Sequence, residues 1–184
     1  HNMALWQLYP RLHRVVYNEE HVVGSILLNP SFETAIASSD WSSGGSPTVS
    51  YVTTTLMHGR AIQLVSGGAA SNLEQDLVDR VEKRGEKSYT FGGLVRATAA
   101  DVARIQFTDG VTTTSHAFHS GVDQWEWQEI TVTPAATMDK VRAICLVAAN
   151  GTAQFDHMYM LVSTSPLRSR YDIGTTMRDG PHAL

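Results

Sequence analysis

The stretch Tyr89-Thr90-Phe91-Gly92-Gly93-Leu94-Val95-Arg96-Ala97 decides the fold of this 184-residue chain. Counting from Tyr89, every second residue is apolar or small, and the intervening positions end on the charged side chain of Arg96. Successive side chains of a strand point to opposite faces, so the pattern predicts a β-strand with one face on a hydrophobic core. The other face, which carries Arg96, then points away from that core.

The same alternation recurs in the next predicted strand. Between residues 103 and 108, apolar side chains alternate with Arg104, Gln106 and a threonine. Clean alternation of this kind is typical of antiparallel sheets that pack one face on the core. We therefore expect an open polar sheet face that carries Arg96, Arg104 and Gln106, either as a solvated surface or as a binding cleft.

Short β-branched and aromatic segments repeat on both sides of these strands. Turn-forming residues separate them at roughly 8–12-residue spacing, and the sequence predicts an all-β domain of about nine or ten antiparallel strands. A Ser- and Gly-rich loop is expected over residues 38–47. The predicted strands after that loop span residues 48–56, 61–65, 73–78, 88–98, 102–108, 111–118, 126–133, 141–148 and 154–162.

Composition and charge exclude several classes of protein. Hydrophobic residues make up 42% of the chain, which is too apolar for an intrinsically disordered protein. The 14 basic and 18 acidic residues give a net charge of −4, so there is no basic excess for binding nucleic acid. The single cysteine cannot form an internal disulfide or a cysteine-based zinc site. No apolar run approaches the roughly 20 residues of a membrane-spanning helix.

The two ends of the chain differ in character from the stretch between them. Residues 1–26 predict a lead-in segment that is partly an expression tag and contains one or two short strands, without a visible signal peptide. Residues 163–184 predict an extended C-terminal arm with several arginines. We expect residues 4–25 and 163–184 to offer surfaces for self-assembly or for neighbouring subunits.

An ordered series of short motifs runs through residues 27–162. Its members include Asn29-Pro30-Ser31-Phe32-Glu33, Trp41, Ala61-Ile62-Gln63-Leu64, Leu73-Glu74-Gln75-Asp76-Leu77, Tyr89-Thr90-Phe91, Trp127-Gln128-Glu129-Ile130 and Phe155-Asp156-His157-Met158. This series resembles the carbohydrate-binding modules of families 4, 9 and 22, which are jelly-roll β-sandwiches attached to polysaccharide-degrading enzymes. It is also similar to a module of bacteriophage tail and other virion proteins. The resemblance implies an antiparallel jelly roll in an extracellular or virion-associated protein.

Two functions follow from the resemblance. The first is a non-catalytic module that binds a glycan or polysaccharide on the concave sheet face. The second is a structural or adhesion component of a bacteriophage virion. We expect no catalytic site, because the chain has no G-x-S-x-G motif and Cys145 lies in a predicted buried strand. His116 and His119 lie in a predicted strand or loop, where residues three apart face opposite ways.

The resemblance also implies where a ligand would bind. In the family's cleft, aromatic side chains stack on sugar rings and polar side chains bond to hydroxyl groups. Trp125 is either a stacking platform or a rim residue that covers the core, whereas Trp41 and Trp127 match positions that pack in the core. The candidate ligand-binding residues are Tyr51, Arg96, Arg104, Gln106 and Trp125.

A structural calcium ion near the start of the first strand and the end of the last strand is a second implied site. The matching positions are Glu33 and Asp156, with backbone carbonyls completing the shell. Ca²⁺ takes about 6–8 oxygen ligands, and two carboxylates from opposite ends of the sequence would close the sandwich. The alternative is that both are turn or edge residues that accept hydrogen bonds from backbone amides.

Overall fold

The computed structural model describes residues 16–18, 21–22, 25–36, 40–54, 59–81, 87–135 and 140–162. These residues form twelve strands: β1 (Val16–Asn18), β2 (His21–Val22), β3 (Ser42–Gly44), β4 (Thr48–Thr54), β5 (Gly59–Val65), β6 (Ser71–Asp76), β7 (Tyr89–Ala97), β8 (Ala103–Thr108), β9 (Thr113–Ser115), β10 (Trp125–Val132), β11 (Arg142–Val147) and β12 (Thr152–Val162). This part of the chain offers no helix that could cross a membrane. The predicted tag, the C-terminal arm and most of the predicted docking segment 4–25 lie outside the described residues.

Ten of the strands form two antiparallel five-stranded sheets, which confirms the predicted all-β sandwich. We call the sheet with strand order β10-β7-β12-β5-β4 the front sheet, and the sheet with order β3-β6-β11-β8-β9 the back sheet. β1 and β2 pair only with each other among the described strands. The lead-in therefore contains two short strands, where the sequence predicted one or two.

The core of the sandwich lies between the inner faces of the two sheets. Phe91 and Val95 from β7 belong to one buried cluster with Ile105 and Phe107 from β8. The alternation predicted for β8 is confirmed, because its apolar residues are buried and the residues between them are half-buried on the other side. Trp41 is also buried in this core, as predicted.

The central strand β12 of the front sheet and its neighbour β7 carry buried side chains on both faces. Leu94, on the outer side of β7, is only 2% exposed. Tyr159 and Leu161 from β12 form a second small apolar cluster, and Trp127 packs against it. The outer face of the front sheet therefore carries apolar side chains as well as polar ones.

A bulge in β12 determines which of its side chains reach that outer face. Asp156 pairs with Leu94 and Tyr159 pairs with Gly92, so two residues of β12 stand opposite one residue of β7. His157, inside the bulge, has a φ of 49°. The extra residue places Tyr159 on the same face as Asp156, whereas strict alternation would put it on the core face.

Two strands differ from the prediction. β3 lies inside the Ser- and Gly-rich stretch that the sequence predicts as a loop, because a three-residue edge strand of small residues carries no β-propensity signal. The predicted strand over 111–118 is paired only at Thr113–Ser115. Both lie at the edges of the back sheet, where a strand pairs with one neighbour only.

Candidate functional site

The structure divides the five predicted ligand-binding residues among three places. Arg96 and Trp125 lie opposite each other on the outer face of the front sheet. Arg104 and Gln106 lie on the outer face of the back sheet, on the other side of the molecule. The expectation that Arg96, Arg104 and Gln106 share one open face is wrong, because β7 and β8 belong to different sheets.

Tyr51 lies on neither outer face. It occupies the edge strand β4 in register with Ile62, a core residue of β5. The backbone N–H of Ile36 donates to its phenol oxygen. The guanidinium of Arg60 lies 4.9 Å from the centre of its ring. Tyr51 therefore packs at the rim of the sandwich beside the segment that precedes β3.

A row of hydrogen-bonding side chains crosses the outer face of the front sheet. Arg96 on β7, Gln154 on β12, Gln63 on β5 and Ser50 on β4 are successive partners in the strand register, and we call them the polar row. The Gln154 amide donates to Gln63 Oε1 at 3.1 Å. With Trp125 on β10 the row spans five strands, or about 19 Å at ~4.8 Å per strand. A row of this length matches an extended polymer segment of several repeating units.

One end of the polar row is anchored by an ion pair. Arg96 Nε lies 2.8 Å from Asp123 Oδ1, with both side chains partly exposed. An exposed pair of this kind contributes little stability, but it fixes the guanidinium over the sheet. Trp125, beside it, is only 7% exposed. Trp125 is therefore largely covered by its neighbours where it lies beside Arg96.

An aromatic pair lies next to the polar row. Trp127 and Tyr159 stack with ring centroids 5.3 Å apart and an interplanar angle of 21°. The Tyr159 hydroxyl donates to the Glu129 carboxylate. The Trp127 indole Nε1 is buried and has no hydrogen-bond partner among the residues that the structure describes. The prediction that Trp127 packs in the core is wrong, because odd-numbered residues of β10 face outward.

Several residues of this face were not identified from the sequence. Gln63, Gln154, Glu129 and Tyr159 join it only through strand register. Alternation from Trp125 along β10 could have found Glu129. The position of Tyr159 depends on the β12 bulge, and the bulge has no clear signal in the sequence.

The outer face of the back sheet is occupied by its own side chains. The Arg104 guanidinium lies 4.2 Å from the centre of the Phe118 ring. The Gln106 amide bonds with Ser115 on β9. Arg142 and Glu74 form an ion pair at 2.6 Å. The side chains of this surface therefore contact one another, and its described residues include no stacked aromatic pair.

The two predicted calcium ligands lie on segments that touch. The Met158 N–H donates to the Pro30 carbonyl at 2.9 Å, so the loop before Glu33 lies against the strand that carries Asp156. Glu33 Oε1 accepts the Arg60 N–H at 3.0 Å, and Asp156 Oδ1 accepts the His157 N–H at 2.7 Å. The second oxygen of each carboxylate makes no hydrogen bond to the described residues, and a hard cation takes such oxygens.

The rest of a calcium shell would come from the backbone. The described residues contain no group of three or more His, Cys, Asp or Glu side chains that could hold a metal ion. The Arg60 guanidinium also donates to the Glu33 carbonyl, so that oxygen is already in use. The donor chemistry fits calcium, and the ion remains a prediction.

Comparison with known proteins identifies the fold. No protein-family model and no curated protein matches the chain. The CBM22-1 xylan-binding domain of Paenibacillus barcinonensis Xyn10C is 17% identical, with a TM-score of 0.57 over 73% of this chain and 92% of that one. A CBM61 module in complex with β-1,4-galactotriose is 19% identical, with a TM-score of 0.55 over 76% of this chain and 99% of that one.

A phage protein contains a similar unit. The enzymatically active domain of bacteriophage CBA120 tailspike protein 4 is 18% identical, with a TM-score of 0.55. The match covers 76% of this chain but only 21% of the tailspike chain. The described chain thus has the jelly-roll β-sandwich fold of carbohydrate-binding modules such as those of families 22 and 61.

Proposed function

We propose that this chain is a non-catalytic carbohydrate-binding module that holds a glycan chain on the outer face of the front sheet. The observation that carries the proposal is the half-buried Trp127, which packs on the buried Tyr159 beside the polar row. A sugar presents apolar C–H faces and polar hydroxyl edges. The indole ring of Trp127, held in place by Tyr159 beneath it and lying next to Arg and Gln side chains, complements both.

The polar row supplies the hydrogen bonds. Arg96 offers planar donors, while the amides of Gln63 and Gln154 each offer a donor and an acceptor, which is what vicinal hydroxyl groups need. The row runs across the strands for about 19 Å, so we expect an oligosaccharide to bind more tightly than a single sugar. In this proposal the outer face takes the role that the family resemblance implies for the concave sheet face.

Binding without catalysis agrees with the state of the carboxylates on this face, where Asp123 is held in the ion pair with Arg96. Glu129 accepts the Tyr159 hydroxyl, and Asp156 is 2% exposed and accepts a backbone amide. A glycosidase needs two carboxyl groups that flank the scissile bond and are free to act as acid and as base or nucleophile. We therefore assign Asp156 to stabilising the fold and Glu129 to holding the aromatic pair in place.

Affinity electrophoresis and calorimetry with soluble xylan and β-1,4-galactan test the proposal. Arg96→Ala and Gln154→Ala should weaken binding by about tenfold, since each removes hydrogen bonds worth about 1–1.5 kcal/mol. Arg104→Ala and Gln106→Ala are matched controls on the back sheet and should bind like the wild type. The proposal fails if neither glycan binds, or if the back-sheet variants are the ones that lose binding.

A second candidate function is a structural or adhesion subunit of a phage virion. The tailspike match favours it, because the same fold occurs as part of a much longer phage chain. In this proposal residues 4–25 and 163–184 contact neighbouring subunits. Light scattering of the full chain and of variants that lack either segment tests it, since assembly should be lost with the segment that carries the contact.

A further inference from the structure

The edge strand β4 presents an open backbone. Thr48–Thr54 is the last strand of the front sheet and pairs only with β5, in an unbroken register from Thr48 opposite Val65 to Thr54 opposite Gly59. Within the described residues, no other backbone group bonds to this strand. Among the described residues, its outer row of N–H and C=O groups therefore has no backbone partner along about 24 Å, at ~3.4 Å per residue.

β4 lacks the sequence features that usually prevent an edge strand from pairing with another chain. Protected edges carry charged side chains, a proline or a bulge, or are very short. The sequence Thr-Val-Ser-Tyr-Val-Thr-Thr has no charge and no proline, and its pairing shows no bulge. β-Branched and aromatic residues fill most positions, which favours addition of another strand.

Apolar surface lies beside this open backbone. Val49 and Tyr51 are 37% and 36% exposed, although they lie in register with the fully buried Leu64 and Ile62. The back sheet ends at this side in the three-residue strand β3, which carries only Ser and Gly. The rim of the sandwich therefore leaves a strip of side chains that a further strand would cover.

We propose that β4 pairs antiparallel with β4 of a second copy of this chain, with the two-fold axis at Tyr51. Tyr51 is the middle residue of the strand, so Val49 then faces Thr53 of the copy and Ser50 faces Val52 of the copy. A charged edge strand would place like charges opposite each other in such a pair, whereas this strand has no charge to repel its copy. The two front sheets become one continuous ten-stranded sheet.

The proposal does not rest on glycan binding, although the two fit together. Ser50 is the β4 end of the polar row, so the rows of two paired copies would meet at the shared edge. A two-site sheet binds a long polymer with higher avidity than a single site does. The pairing itself is measured without any glycan.

Sedimentation velocity of the full chain over increasing concentration tests the pairing. The mean mass of wild-type protein should rise towards twice the single-chain mass. Val49→Glu combined with Thr53→Glu puts Glu opposite Glu twice, and we expect association to weaken at least about tenfold. Val49→Lys combined with Thr53→Glu puts Lys opposite Glu twice and should restore it. Both variants share the Thr53→Glu change, which lies opposite Arg60, so they differ only at position 49.

Val122→Lys controls for general loss of apolar surface, because Val122 is 59% exposed and lies outside β4. Thermal melts confirm that each variant is folded, and hydrogen exchange of wild-type β4 amides should slow as concentration rises. A wild-type chain that stays monomeric, two double variants that associate equally, or a Val122→Lys variant that dissociates would each overturn the proposal. Loss of glycan binding with unchanged mass would count against the proposed function only.

Discussion

Trp127 and Tyr159 stack across β7, at the point where Gly92 separates their two strands. Gly92 is the register partner of both Glu129 and Tyr159. A side chain at Gly92 would begin 2.5 Å from the Tyr159 hydroxyl and 2.8 Å from the Gln128 carbonyl. The aromatic pair, and the Tyr159–Glu129 hydrogen bond that holds it, therefore require a glycine at this position.

Gly92→Ala should disturb this arrangement directly. The added methyl group must displace the Tyr159 ring, and overpacking of this kind costs about 1–3 kcal/mol. We expect urea denaturation to show that loss of stability and glycan affinity to fall with it. Gly68→Ala is the matched control, because a methyl group there meets nothing within 4 Å. Equal stability of the two variants would contradict the role given to Gly92.

The sequence predicted the strands well and the site only in part, and the reason is physical. Alternation within one strand assigned the faces of Arg104 and Arg96 relative to the core correctly. It could not tell that their strands belong to opposite sheets, because sheet membership depends on long-range pairing. Tyr159 reaches the outer face through a bulge centred near His157, and a one-residue shift of register has no local signature.

The Asp109 carboxylate stabilises the fold, and the size of this stabilisation depends on pH. Burial raises its pKa, but the backbone N–H groups of Thr112, Ala135 and Val111 outweigh this and hold the pKa below its ordinary value. A lowered pKa stabilises the fold above the ordinary Asp value of about 4, and this contribution is lost as the pH falls through the lowered one. Asp109 thus ties the β8–β9 turn to the segment after β10.

Asp109→Asn should lower the free energy of unfolding by about 1–3 kcal/mol at neutral pH, because an amide N–H would then face the N–H of Ala135. The difference from the wild type should shrink as the pH falls below about 4. Denaturation curves at several pH values measure it. Asp101→Asn, at an exposed carboxylate, is the control and should change little. A difference that stays constant at acid pH would argue against a carboxylate-specific effect.

Cys145 should behave as a small apolar residue. It is fully buried in the middle of the back sheet, opposite Leu73 and Ile105, and burial raises the pKa of its thiol. Because the thiolate is the reactive form, we expect no labelling by a thiol reagent at about pH 8 in the native state, and full labelling after denaturation. A Val122→Cys variant adds an exposed thiol that should react at once in the same molecule. Rapid native labelling of the wild type would show that the back sheet opens readily.

Calcium should raise the melting temperature if Glu33 and Asp156 share an ion. Both carboxylates keep one oxygen that makes no hydrogen bond within the described residues, and the contact between Met158 and Pro30 brings their segments together. An ion that binds only the folded state stabilises it in proportion to the logarithm of its concentration. We therefore expect a chelator to lower the melting temperature, calcium to restore it, and Glu33→Gln to abolish the response. Asp76→Asn, at an exposed carboxylate on the back sheet, controls for loss of charge and should keep the response. A melting temperature that chelator and calcium both leave unchanged would assign Glu33 and Asp156 to the alternative role, acceptors for the amides of Arg60 and His157.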